Sequence, residues 1–169
     1  MAFVEAFVDF FPTRHESARI FALCAAIFFV PLLVSQQLIT GTLVNAMLIY
    51  SALRVRGSWS YVPAVIPSIA AMLAGILFGT THAVLAMLPA IWAGNMALIF
   101  IMKRMVEIKD YATLLAGSAI AKTVIISASY LSLVYLIDLP NNFLQVFTYM
   151  QLITVILGGI LAFLWNRYA

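Results

Sequence analysis

The sequence predicts an all-α integral membrane protein: a compact bundle of six transmembrane helices, with both termini in the cytoplasm and a short amphipathic helix ahead of the first span. Three observations carry this expectation. Of the 169 residues, 65% are hydrophobic and 9% charged, and the mean hydropathy is +1.10, so the chain has too little polar surface to coat a water-soluble domain. Six apolar stretches are separated by short polar connections. Eight of the nine Lys and Arg residues fall on the side that such a six-helix reading assigns to the cytoplasm, and the ninth, Lys122, lies inside a span. A hydrocarbon core takes about 20 residues per helix, so six spans use roughly 120 residues and leave residues 1–169 as a single transmembrane domain.

The segment 1–12 has no basic n-region of the kind a signal peptide needs, and it carries Glu5 and Asp9. Phe3, Val4, Phe7, Phe10 and Phe11 recur near helical spacing, which suits a helix lying in the membrane interface. The spans read as Ser17 to Val34, Thr40 to Leu53, Tyr61 to Phe78, Ala83 to Met102, Tyr111 to Ile137 and Phe143 to Trp165. Arg14 and Arg19 open span one, Arg54 and Arg56 follow span two, Lys103, Arg104 and Lys109 follow span four, and Arg167 ends span six. The intervening loops around Gln36, Thr80 and Asn141 carry no basic residue, so the positive-inside rule puts both termini in the cytoplasm. Trp59, Tyr61, Tyr111, Trp165 and Tyr168 fall at the inner interface, where amphipathic rings anchor.

Span two is short for a bilayer and contains Asn45, so it either sits with little tilt in a locally thinned membrane or extends through Ser35 to Thr40 as an irregular entry. Pro31, Pro63, Pro67 and Pro89 each remove a backbone donor and predict kinks. Ala18, Ala22 and Ala26 repeat every four residues on the cytoplasmic half of span one, a smooth stripe against which a partner helix could pack. Gly75 and Gly79 form a GxxxG at the end of span three.

Several function classes find no support. The charge of +3 belongs to helix ends and implies no nucleic-acid partner. Cys24 is alone, so no intrachain disulfide forms. His15 and His82 fall on opposite sides of the membrane and cannot pair on a metal or haem, and no cofactor is expected. The run Gly117 to Thr123 ends like a P-loop, but Ala116 and Ala121 stand where both glycines are required. Ser127 has no His or Asp at its level, and no two carboxylates share a depth, so the chain is not expected to be an enzyme.

Polar residues inside the bilayer are costly, and they identify the candidate site. Lys122 lies about 17 Å from the inner end of span five, close to the midplane. Trp92 and Asn95 reach a similar depth, Gln151 sits somewhat nearer the outside, and Asn45 nearer still. Together with Tyr130, and with Gln36 and His82 at the mouth, they are expected to converge on one outward-facing cavity. No acid shares the depth of Lys122, since Asp138 is at the outer edge while Glu107 and Asp110 are cytoplasmic. Three states of Lys122 follow: an ammonium held by amide and backbone oxygens, a deprotonated amine, or a cation awaiting an anionic ligand.

The stretches Gly41-Thr-Leu-Val-Asn45-Ala, Pro67 to Gly75 and Leu88-Pro89-Ala-Ile-Trp92-Ala-Gly94-Asn95 resemble the substrate-binding S components of energy-coupling factor (ECF) transporters. The later pattern of Ala121-Lys122, Gln151 and Gly158-Gly159 is similar as well. The resemblance implies a six-helix protein that captures a vitamin or other small micronutrient at the outer face of the cell membrane. It further implies that the alanine stripe docks on a transmembrane T component driven by two cytoplasmic ATPase subunits, and that the whole bundle topples when ATP is used. No particular vitamin is singled out. Two other readings stand beside it: a structural or assembly subunit, whose interior would be filled by side chains, and a stand-alone carrier, which would be expected to show an intramembrane acid or an inverted repeat.

Overall fold

The computed structural model describes residues 12–78, 81–105, 110–137 and 143–168, with side chains left undescribed at 75–78, 81–84, 137 and 168. The expected N-terminal amphipathic helix, Gly79 of the GxxxG, the His82 side chain, Glu107 and Asp138 lie outside what is described.

Every regular element among the described residues is helical. Helix α1 spans Arg14–Leu33 and α2 spans Gln37–Arg54; a 3-10 segment, Gly57–Ala64, leads into α3, Ile66–Phe78. Helix α4 is Thr81–Met105, α5 is Tyr111–Ile137, the single turn α6 is Leu144–Phe147, and α7 is Tyr149–Tyr168. Five segments are long and apolar enough to cross a membrane: α1, the 3-10 segment with α3, α4, α5 and α7. Large apolar side chains such as Phe21, Leu33, Ile120, Val124 and Leu136 stand exposed around the bundle, and Tyr135 is 89% exposed. Apolar surface on this scale belongs against lipid rather than water, and by length and composition the chain is a multi-pass membrane protein.

Helix α2 is the element that falls short as a span, and it is also the best shielded. Val44 through Ile49, with Ser51 and Ala52, are all buried. Its main neighbour is α7, with α4 and α1 on other sides, while α4 and α5 form the second closely packed pair. The α2–α7 approach depends on Gly158. A Cβ there would come within 2.8 Å of the Ala46 nitrogen, the Thr42 oxygen and the Asn45 Cβ, so two backbones meet with nothing between them. The next residue, Gly159, serves a different neighbour, because a Cβ there would overlap the Leu115 side chain of α5.

Three expected features come out differently. Of the two readings of span two, the irregular entry through Ser35 to Thr40 is not the one observed: α2 is regular from Gln37, and Thr40 Oγ1 donates to the Val34 carbonyl at 2.6 Å to brace the turn before it. Span three is not one kinked helix. Pro63 lies in the 3-10 segment and Pro67 in the first turn of α3, where a missing N–H costs nothing because that donor has no intrahelical partner. Span six is broken at Thr148, whose φ of −116° and ψ of −111° separate α6 from α7.

Helix α1 begins with a capping box: the Glu16 N–H donates to Thr13 Oγ1, and the Thr13 N–H donates to Glu16 Oε2 at 3.1 Å. Its buried face is Ile20, Leu23 and Ile27, while Ala18, Ala22 and Ala26 all lie on the exposed face.

One end of the bundle gathers the basic side chains and is tied by them. Arg19 Nη1 donates to the Arg54 carbonyl at 3.1 Å, and Arg54 in turn uses Nε on Asn166 Oδ1 and Nη2 on the Asn166 carbonyl at 3.2 Å. Lys103 Nζ spends all three protons, on the Val55 carbonyl at 2.9 Å, the Gly57 carbonyl at 2.7 Å and Ser60 Oγ at 2.9 Å. Three of these acceptors, the carbonyls of Arg54, Val55 and Asn166, are ones that helix C-termini leave without an intrahelical donor. Tyr50 stacks on Trp165 at 4.8 Å at the same end.

Candidate functional site

The interior polar site lies where α2, α5 and α7 meet. Lys122 is 3% exposed and donates from Nζ to Asn45 Oδ1 at 2.6 Å. Asn45 Nδ2 donates onward to Thr154 Oγ1 at 3.1 Å, and the Thr154 hydroxyl points back along α7 to the Met150 carbonyl at 2.8 Å. The chemistry fixes the direction of this chain. An ammonium only donates, so Asn45 must present its oxygen to Lys122 and its NH₂ to Thr154. Asn45 and Lys122 lie near the middles of their helices, nine residues before Arg54 and eleven after Tyr111, and Thr154 lies five residues after Tyr149.

The lysine stem is held against α4 at a glycine. A Cβ on Gly94 would lie 2.9 Å from Ile126 Cδ1 and 3.3 Å from Lys122 Cγ. Asn45 is the one hydrogen-bond acceptor that Lys122 has among the described residues, and it is neutral. The one ion pair among those residues is Arg56 with Glu16, at the basic end. The Lys122 amino group, nearly removed from water, thus rests on a single amide oxygen, and three further buried polar atoms, Thr42 Oγ1, Thr123 Oγ1 and Asn95 Oδ1, have no hydrogen-bond partner. Thr42 is one turn from Asn45, and Thr123 adjoins Lys122.

The other expected site residues whose side chains are described do not join this cluster. Trp92 and Asn95 share a face of α4, but that face meets the junction of the 3-10 segment with α3: Trp92 Nε1 donates to Ser68 Oγ at 2.5 Å and Asn95 Nδ2 to the Ala64 carbonyl at 2.7 Å. Gln151 Nε2 turns to the Val146 carbonyl at 2.8 Å and bridges the α6–α7 break. Tyr130 is fully buried and packs in an apolar cluster with Met87, Ile126 and Phe147, its ring 5.4 Å from that of Phe147. Gln36 is exposed as the residue before α2, with no capping bond from its side chain. Convergence on one outward cavity is therefore not the observed arrangement; these side chains are distributed over separate helix contacts. Position along a helix sets depth, whereas the face a side chain takes is set by packing.

Two concavities are found elsewhere. One, of about 480 Å³, is an apolar groove between α4 and α5 lined by Ala86, Pro89, Ala90, Ala128, Ser129, Ser132 and Leu133. The other, of about 500 Å³, opens at the basic end between α1 and the end of α2. Beside that end, Asp110 caps α5 by accepting the Thr113 N–H at 2.9 Å, and its bonding with Thr113 holds its carboxyl below the usual aspartate range.

Thr154 and Lys103 are the residues that sequence reasoning missed. Thr154 lies one turn from Gln151, and its depth could have suggested it; Lys103 was read only as an orienting charge. Compared with protein-family models, curated proteins and solved structures, the chain matches none.

Proposed function

We propose that this protein is the membrane-embedded capture subunit of an uptake system for a small anionic micronutrient, energised by a separate transmembrane T component and two ATPase subunits. In this reading α2 is the sixth span, completing a six-helix bundle in the cell membrane, and the basic end faces the cytoplasm, as the positive-inside rule requires. The observation that carries the proposal is Lys122: a buried cation with one neutral acceptor and no acid beside it among the described residues. An intramembrane charge without a counter-ion is expensive, and an anionic ligand would supply what it lacks. Support for the partners comes from α1, where Ala18, Ala22 and Ala26 present a small-residue lane on the exposed face.

A structural or assembly subunit is the second reading. It is favoured by a specific observation, namely that Trp92, Asn95, Gln151 and Tyr130 are engaged within the bundle. The two readings part on Lys122. Small molecules extracted from purified protein and analysed by mass spectrometry should include one anionic species for the wild type. In Lys122→Met its recovery should fall roughly ten- to a hundredfold, the loss expected for a hydrogen bond to a charged group, while the protein still elutes as a folded species. Equal recovery from both proteins would leave the structural reading standing.

A further inference from the structure

The groove at the basic end is a different kind of site. It is lined by Thr13, Glu16, Arg19, Leu53, Arg54, Val55 and Arg56, and so joins the first turns of α1 to the end of α2. Three guanidinium groups oppose one carboxylate, leaving a local charge of two positive units. Glu16 is already engaged, since Oε2 accepts from the Thr13 N–H and hydroxyl and Oε1 faces Arg56 Nε at 3.9 Å. The arginines are only partly spent. Arg54 is braced on Asn166 through Nε and Nη2, which fixes its plane and leaves Nη1 without a partner among the described residues. Arg19 uses Nη1 alone, and the Arg56 side chain, 90% exposed, turns only Nε toward Glu16.

We propose that this groove binds a phosphate group, held by Arg19 and Arg56 against the fixed Arg54. Planar forks presenting several N–H groups to one point suit phosphate oxygens in a way that single ammonium groups do not. The chemistry is shared by anionic phospholipid headgroups and free phosphate. Position favours the lipid: the groove sits at the basic end of the bundle, where the apolar stretches of α1 and α2 end. The site does not depend on whether the protein captures a substrate.

The test is native mass spectrometry of full-length protein taken from nanodiscs containing equal amounts of phosphatidylglycerol and phosphatidylcholine. Wild type should retain phosphatidylglycerol preferentially. The double variant Arg19→Gln/Arg56→Gln, which leaves the Arg54–Asn166 brace intact, should lose that preference by about fivefold per arginine, as expected for basic residues at a membrane surface. Arg104→Gln is the local control, because Arg104 lies beside Phe100 outside the groove and should retain the full preference. Displacement of the lipid by millimolar inorganic phosphate would support the phosphate site while assigning its source to solution. No preference in the wild type together with no phosphate binding would overturn the proposal. So would an Arg104→Gln loss equal to that of the double variant, since the attraction would then belong to the whole basic end.

Discussion

Asn45 is the residue on which the interior depends, because it accepts from a lysine and donates to a threonine from a single amide. Removing one partner of a buried hydrogen bond costs more than removing both, since the remaining group is left desolvated and alone. Asn45→Leu should therefore lower stability by roughly 1–3 kcal/mol in the wild type and by clearly less in a Lys122→Met background. Thermal unfolding of the four proteins in detergent gives the coupling directly, and equal costs in both backgrounds would mean that the bond contributes nothing. The oddity of Lys122 was legible in the sequence, which places it in a span with no acid at its depth. Its partner was not singled out, because Asn45 was one of several polar residues at overlapping depths. Trp92 and Asn95 illustrate the cause: both reach a suitable level, yet the face they share is turned to Ser68 and Ala64 by the packing of α4 on α3.

Among the elements, α2 and α7 show how small residues set helix distance. Gly158 faces backbone atoms of α2 that have no rotamer by which to yield, whereas nothing lies within 4 Å of a Cβ on Gly117 in α5. The two substitutions should have opposite signs. Gly158→Ala should cost roughly 1–3 kcal/mol by forcing the helices apart, and Gly117→Ala should stabilise by up to about 1 kcal/mol through the higher helix propensity of alanine. Melting temperatures of both variants check this, and a neutral Gly158→Ala would show that α7 can shift away freely. Helix positions were largely readable from apolar run length. The 3-10 segment and the break at Thr148 were not, because proline position within a turn and a single unusual φ, ψ pair depend on what the neighbouring helices satisfy. The short apolar run of α2 reflects its burial, since a helix shielded by α1, α4 and α7 has less need of a lipid-compatible surface.

At the scale of the whole molecule, the basic residues gathered at one end of the bundle tie neighbouring segments together. Arg19, Arg54 and Lys103 bond to carbonyls and side chains of neighbouring segments, so the basic end is braced. The clustering of those charges was visible in the sequence; their hydrogen-bond acceptors, being backbone atoms of other segments, were not. In the proposed reading, this braced bundle moves as one body against a partner seated on the exposed alanine lane of α1. The most direct test of that account is isolation of the tagged protein from its native membrane, followed by mass spectrometry of everything that accompanies it. The account predicts a transmembrane coupling subunit, two ATPase subunits and a small anionic molecule with the wild type, and loss of the protein partners alone in Ala22→Trp, which fills the exposed lane without touching the interior. Recovery of neither ATPase subunits nor a small molecule with the wild type would contradict it.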